Sequence, residues 1–165
     1  MPRRDANQWY ELLTGAYADY FENGTISVNK WWKTRVAAER GLISCGAEAI
    51  PYAVELLANR DPEIREDGAA VLGALGEDER VVDALLGALQ REDEDQPRDV
   101  MIIGLGRLRN KKAIPFLAAT IRDSETDGDT RFTAIQSLGQ IARRRFDRRP
   151  EPEAAALEWL NAHGY

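Results

Sequence analysis

One amphipathic segment occurs four times along the chain at nearly constant spacing. Each copy starts with an arginine, and the intervals between these arginines are 30, 33 and 33 residues. A leucine follows each arginine after seven residues, and a small or apolar residue follows after three. Offsets of three, seven and ten residues lie on one side of an α-helix, so each copy predicts an amphipathic helix. The four arginines are Arg35, Arg65, Arg98 and Arg131.

A second kind of amphipathic segment lies between successive copies. It starts at Ala47, Glu79 and Lys111, and in each case apolar residues recur seven positions apart. Gly46 and Gly76 can end the preceding helices in the left-handed conformation. No stretch of useful length alternates apolar and polar residues as a half-buried β-strand does. Helix pairs joined by short turns are therefore predicted, and such pairs must stack on one another to bury their apolar sides.

The predicted fold class is all-α, an α-solenoid of about four helix pairs with an N-terminal capping helix. A chain of 165 residues suffices for one domain. Residues 1–165 are read as a single domain, with an aromatic capping element at 1–27, repeats at 28–145 and a C-terminal cap at 146–165. The predicted helices cover residues 6–22, 28–45, 47–58, 62–74, 78–90, 96–109, 111–122, 129–145 and 151–162.

The repeated segment is similar to a known class of helical repeats. The repeated segment resembles the HEAT-like repeats of bacterial proteins and of the phycobilisome lyase family. The resemblance is carried by DPEIREDGAAVLGALG at 61–76 and by two later copies, QPRDVMIIGLGRL and DTRFTAIQSLGQI. The resemblance covers roughly residues 33–141. It implies that the arginine-bearing helices line a concave surface and that the other helices lie outside. Related repeats also occur in bilin lyases and in a family of DNA glycosylases, so an enzyme is an open alternative.

The net charge and the residue counts exclude several classes of function. The net charge of −6 has the wrong sign for a general nucleic-acid binder. One cysteine and one histidine supply too few ligands for a structural zinc site and no internal disulfide. No segment reaches the roughly 18 apolar residues of a membrane span. The sequence shows no nucleophile with an adjacent base. We therefore predict a cytoplasmic protein with no catalytic residue, metal or cofactor, and no membrane contact.

The candidate binding surface follows from helix geometry. Positions one, two, five and nine after each arginine fall opposite the apolar stripe, so their side chains are predicted to face solvent or a partner. The arginines themselves are predicted to bind a carboxylate such as Asp61, or turn carbonyls of the preceding repeat. The candidate partner-binding residues are Arg40, Glu66, Asp67, Asp99, Arg107, Thr133, Gln136 and Gln140.

Two further surfaces compete with this one. A basic patch near the C-terminus predicts either an anionic partner or a helix end whose dipole favours cations. An aromatic patch near the N-terminus predicts either a cap over the first repeat or a partner-binding hot spot. The basic patch comprises Arg143, Arg144, Arg145, Arg148 and Arg149, and the aromatic patch comprises Trp9, Tyr17, Trp31 and Trp32.

The leading functional hypothesis is a non-enzymatic module that binds a protein partner across its concave face. It would act as an adaptor, an assembly chaperone or a neutralising partner of another protein. The alternatives are a bilin lyase or lyase subunit, and nucleic-acid contact through the C-terminal arginines. The identity of the partner and the oligomeric state are left open.

Overall fold

The computed structural model describes residues 4–76 and 78–165, and every regular element in these ranges is helical. None of the described helices is both long and apolar enough to span a membrane. The elements are α1 (Ala6–Tyr17), α2 (Val28–Ser44), α3 (Ile50–Leu56), α4 (Pro62–Ala74), α5 (Glu79–Leu89), α6 (Asp95–Leu108), α7 (Ile114–Arg122), α8 (Gly128–Ala142) and α9 (Pro152–Ala162).

Short polar side chains begin several of these helices. The Asp5 carboxylate accepts from the amide of Gln8 at 2.8 Å and the Gln8 side chain accepts in return from the Asp5 amide, which together satisfy two otherwise unpaired donors at the start of α1. Asp61 caps α4 by accepting from the amide of Glu63, and proline follows at the first helical position. The predicted helix ends are also present, because Gly46 and Gly76 both have positive φ.

The four arginine-bearing helices α2, α4, α6 and α8, here called the arginine helices, contact one another in chain order. Helices α6 and α8 meet near their starts through Thr130 and Asp99, and near their ends through Gly106 and Ser137. Both pairs are separated by 31 residues in sequence, so the two helices run parallel. Their close approach requires glycine, because a β-carbon at Gly106 would lie 2.8 Å from the backbone of Ser137.

The apolar stripe of each arginine helix is buried. The four leucines at the seventh position after each arginine are Leu42, Leu72, Leu105 and Leu138, and all four are fully shielded from solvent. Helices α3, α5 and α7 pack against the arginine helix that follows each of them, α1 packs on α2, and α9 contacts α7 and α8. The predicted all-α class and its amphipathic helices are therefore confirmed in the described residues.

Four predicted helices are shorter as α-helices than expected. The helix predicted over 6–22 is α-helical to Tyr17 and continues as a π-helix over Ala18–Glu22, and the one predicted over 111–122 starts with a 3-10 turn at Lys111–Ala113. The helix predicted over 129–145 ends at Ala142, because Arg143 adopts a left-handed conformation with φ of 55°. Arg144 and Arg145 consequently follow the helix and do not belong to it. The segment predicted as a helix over 47–58 starts with a 3-10 turn at Gly46–Ala49 and becomes α-helical only at Ile50.

Candidate functional site

Most of the predicted partner-binding residues share one surface of the arginine helices. Arg40, Arg107, Gln136 and Gln140 are exposed, whereas Glu66, Asp99 and Thr133 are partly buried. Helices α6 and α8 run parallel, so equivalent positions on these two helices, such as those of Arg107 and Gln140, lie side by side. We call this surface, without Asp67, the arginine-helix face.

Charge on the arginine-helix face is sorted by position along the helices. Glu66 and Asp99 lie near the starts of their helices, and Arg40 and Arg107 lie near the ends. This arrangement complements the helix dipoles, whose positive ends favour carboxylates and whose negative ends favour cations. Burial raises the pKa of the Glu66 and Asp99 carboxyls. The face therefore has an acidic edge and a basic edge.

Asp67 is not part of this face, and the prediction that it faces solvent is wrong. Its side chain is only 1% exposed, because the second position after Arg65 faces the neighbouring helix α2. The guanidinium of Arg35 donates to both carboxylate oxygens of Asp67, with Nη2 2.6 Å from Oδ1 and Nε 3.0 Å from Oδ2. The hydroxyl of Tyr17 donates to Oδ2 at 2.8 Å. Asp67 thus links α1, α2 and α4.

Further carboxylates surround the same guanidinium. Glu63 and Glu66 lie 3.7 and 3.8 Å from the nitrogens of Arg35, and Glu39 lies within hydrogen-bonding reach of Asp67. Burial and repulsion by Asp67 raise the pKa of Glu39 to about 7. Glu39 is therefore about half protonated near pH 7. We call Tyr17, Arg35, Glu39 and Asp67 the Arg35 cluster.

The Arg35 guanidinium is also packed among aromatic rings. Its central carbon lies 5.4–5.9 Å from the ring centroids of Tyr17, Trp31 and Trp32. Such contacts stabilise a cation through the ring quadrupole. Hydrogen bonding to Asp67 outweighs the effect of burial and raises the pKa of Arg35. Arginine at this position is held on every side by groups of the protein itself.

The other three recurring arginines bind turn carbonyls, although the prediction placed those turns in the preceding repeat. Arg65 donates to the carbonyls of Asn59 and Arg60, Arg98 donates to that of Glu92, and Arg131 donates to those of Asp123 and Thr126. Each of these carbonyls lies in the loop before the helix that carries the arginine. Binding to a carboxylate is confirmed, but the predicted example, Asp61, is wrong because it caps α4. Arg35 binds Asp67, Arg65 binds Glu92 and Arg98 binds Asp95.

Glu92 completes a second buried ion pair. Arg65 binds it through two hydrogen bonds of 2.7 and 2.8 Å, and the Glu94 amide donates to it as well. Burial alone raises the pKa of Glu92, but the hydrogen bonds from Arg65 and from the Glu94 amide outweigh burial and lower it. The pair therefore joins the start of α4 to the loop between α5 and α6.

The predicted aromatic patch is largely internal. Trp9 packs its ring over Gly41, where a β-carbon would lie 2.1 Å from the indole. Tyr17 and Trp31 are buried in the core. Trp32 is the exception among the four residues, with 53% of its surface exposed.

The predicted basic patch is exposed, and part of it borders a cleft. All five arginines are accessible to solvent, and Arg145 lies 3.5 Å from Asp147. Within the described residues, Arg143, Arg144, Arg148 and Arg149 have no side-chain hydrogen bond or ion pair. Arg144, Arg145 and Arg149 line a cleft of about 660 Å³ beside α9.

The sequence prediction missed two carboxylates of these clusters, the partly buried Glu39 and the buried Glu92. Glu39 occupies the fourth position after Arg35, where the other repeats have Ala69, Ile102 and Ile135. A carboxylate in that apolar series is a usable signal of a buried polar cluster. No sequence signal distinguishes Glu92 as buried, because it lies within a run of acidic residues that is typical of an exposed loop.

In the described parts of the chain, no three histidine, cysteine or carboxylate side chains converge in a way that would hold a metal ion. No protein-family model matches the chain, and no curated protein matches it either.

Proposed function

We propose that the chain is an α-solenoid of four HEAT-like helix pairs that acts as a non-enzymatic protein-interaction module in the cytoplasm. The arginine-helix face is its binding surface. The observation that carries this proposal is the parallel alignment of α6 and α8, because it brings exposed side chains from successive repeats side by side. The packing of α2, α4, α6 and α8 in chain order supports extending this surface over the other repeats. Residues 1–27 and 146–165 are proposed to cap the two ends of the array.

Rigidity supports this role. The recurring arginines hold the loops between helices through hydrogen bonds to backbone carbonyls, and glycines let neighbouring helices approach closely. A preformed surface loses little conformational entropy when a partner binds. The module is therefore expected to bind without large rearrangement of its backbone.

The two charged edges of the face suggest how a partner is oriented. Arg40 and Arg107 at one edge favour an acidic partner surface, and Glu66 and Asp99 at the other favour a basic one. Complementary charge across an interface chiefly sets the orientation of a partner and its rate of association. The proposed partner is a protein whose surface has the opposite arrangement of charges.

The test is affinity capture from an extract of the native host, with quantitative mass spectrometry of the retained proteins. The double variant R40E/R107E reverses the basic edge, and R91E/K111E changes net charge equally at exposed positions away from the face. We expect R40E/R107E to capture at least tenfold less of the partner than wild type does. We expect R91E/K111E to capture the wild-type amount. Equal capture by both variants, or no protein enriched above beads alone, would contradict the proposal.

A further inference from the structure

A separate cleft lies at the C-terminal end of the chain, away from the arginine-helix face. One wall is formed by α9, from Glu151 just before it to Ala162 at its end. The opposite side contains Arg144, Arg145 and Phe146, from the turn after α8. The cleft measures about 660 Å³, which is within the usual range of ligand-binding pockets.

The turn that presents these arginines is fixed by the backbone. The amide of Arg144 donates to the carbonyl of Gly139 at 2.8 Å. A β-carbon at Gly139 would lie 2.7 Å from the carbonyl oxygen of Arg144, so this approach depends on glycine. Phe146 is buried beneath the turn and packs near the ring of Trp159. The cations are therefore held beside an apolar floor.

The arginines of the cleft differ from those inside the array. Arg35 and Arg65 are neutralised by buried carboxylates of the protein itself. Arg144 and Arg149 have no such partner among the described residues. Guanidinium groups bind carboxylates through two parallel hydrogen bonds, so two unpaired arginines at one cleft favour an external carboxylate.

The shape and total charge of the cleft restrict what it can accept. Glu151 and Glu158 also line it, so three arginines and two glutamates leave a net charge of only +1. That charge is too small to favour a polyanion such as nucleic acid. The eleven residues of α9 span about 16 Å, which matches about five residues of extended chain.

We infer that this cleft binds an extended peptide segment of a partner protein in which carboxylates alternate with apolar side chains. The carboxylates bind Arg144 and Arg149, and the apolar side chains pack against Trp159, Phe146 and the alanines of α9. This inference does not depend on the arginine-helix face, because none of that face's residues lines the cleft.

The test is calorimetric titration of the full chain with the peptide acetyl-DFDLE-amide. The neutral peptide acetyl-NFNLQ-amide has the same shape without the charge, and a 20-nucleotide oligo(dT) represents a nucleic acid. The variant R144Q/R149Q removes two arginines that line the cleft. Its matched control, R143Q/R148Q, removes two arginines of the same segment that do not line it.

We expect the acidic peptide to bind wild type and R143Q/R148Q within about twofold of each other, and R144Q/R149Q at least tenfold more weakly. The neutral peptide should bind at least tenfold more weakly than the acidic one. The inference is overturned if the acidic peptide does not bind or if both double variants lose affinity equally. Tighter binding of the oligonucleotide than of the peptide also overturns it. Circular dichroism of both variants verifies that the helices are intact.

Discussion

Arginine has opposite surroundings at the two ends of this molecule. At the N-terminal end, Arg35 has a side chain only 11% exposed, and it is bound by Asp67 and surrounded by three aromatic rings. At the C-terminal end, Arg144 and Arg149 are exposed and have no anionic partner among the described residues. The comparison teaches that the neighbours of an arginine decide whether it stabilises the fold or is available to a ligand.

The physical basis is the cost of desolvation. A charge taken out of water must recover its hydration energy from nearby opposite charge and hydrogen bonds. Asp67 receives donors from both Arg35 and Tyr17, which offset part of this cost, although burial still raises the pKa of the carboxyl. The C-terminal arginines stay hydrated and need no such compensation. Removing an arginine should therefore have very different effects at the two ends.

The largest expected effect is that of Arg35→Ala. It leaves Asp67 buried without its ion-pair partner, and breaking a buried pair in this way costs about 3–5 kcal/mol. Arg144→Ala removes the same side chain from an exposed site and should change the unfolding free energy by less than about 0.5 kcal/mol. Urea denaturation followed by circular dichroism measures both. Equal losses for the two variants would remove the distinction between the two ends.

A smaller effect is expected for Tyr17→Phe. The change keeps the ring but removes the hydroxyl that donates to Asp67 at 2.8 Å. Loss of one donor to a buried carboxylate should reduce the unfolding free energy by about 1–3 kcal/mol. Tyr165→Phe, at an exposed C-terminal ring, is the matched control and should have almost no effect. A Tyr17→Phe protein as stable as wild type would show that Arg35 alone compensates Asp67.

The sequence predicts the helices much better than it predicts these pairings. The leucines at 42, 72, 105 and 138 recur with helical spacing, and their burial follows from that local pattern. The contact between Arg35 and Asp67 depends on the register between helices 32 residues apart, which no local pattern encodes. Local helix geometry therefore placed Asp67 in solvent, although the structure buries it against α2.

The end of α8 shows a different limit of prediction. Arg143 is the first residue beyond α8, with φ of 55°, a conformation usually occupied by glycine or asparagine. The helix propensity of the sequence therefore predicts a helix that includes Arg144 and Arg145. The cleft beside α9 was missed for this reason, because its arginines lie in the turn and not on the helix.

The pH dependence of the free energy of unfolding allows a third comparison, between Glu39 near the N-terminal end and Glu158 near the C-terminal end. The folded pKa of Glu39 is about 7, above its ordinary value of 4.5, so folding favours the protonated form. Stability from this group is full below about pH 4.5 and falls as pH rises towards 7. With allowance for partial exposure of Glu39 to solvent, the free energy of unfolding falls by about 1–2 kcal/mol over this pH range.

Glu39→Gln should remove this part of the pH dependence, because glutamine stays neutral and can still donate to Asp67. Urea unfolding at pH 5 and pH 8 measures the change, and the variant should be more stable than wild type at pH 8. Glu158→Gln, at an exposed carboxylate near the C-terminus, should retain the wild-type dependence. Identical curves for Glu39→Gln and wild type would show that Glu39 does not change protonation between pH 5 and pH 8 in the folded protein.

The most direct test of the contrast between the two ends is the reactivity of each arginine towards phenylglyoxal in the native protein, read by peptide mass spectrometry. Our account predicts that Arg144 and Arg149 react at least tenfold faster than Arg35 and Arg65, whose guanidinium groups are occupied by Asp67 and Glu92. Comparable rates for Arg35 and Arg149 in folded protein would contradict the account.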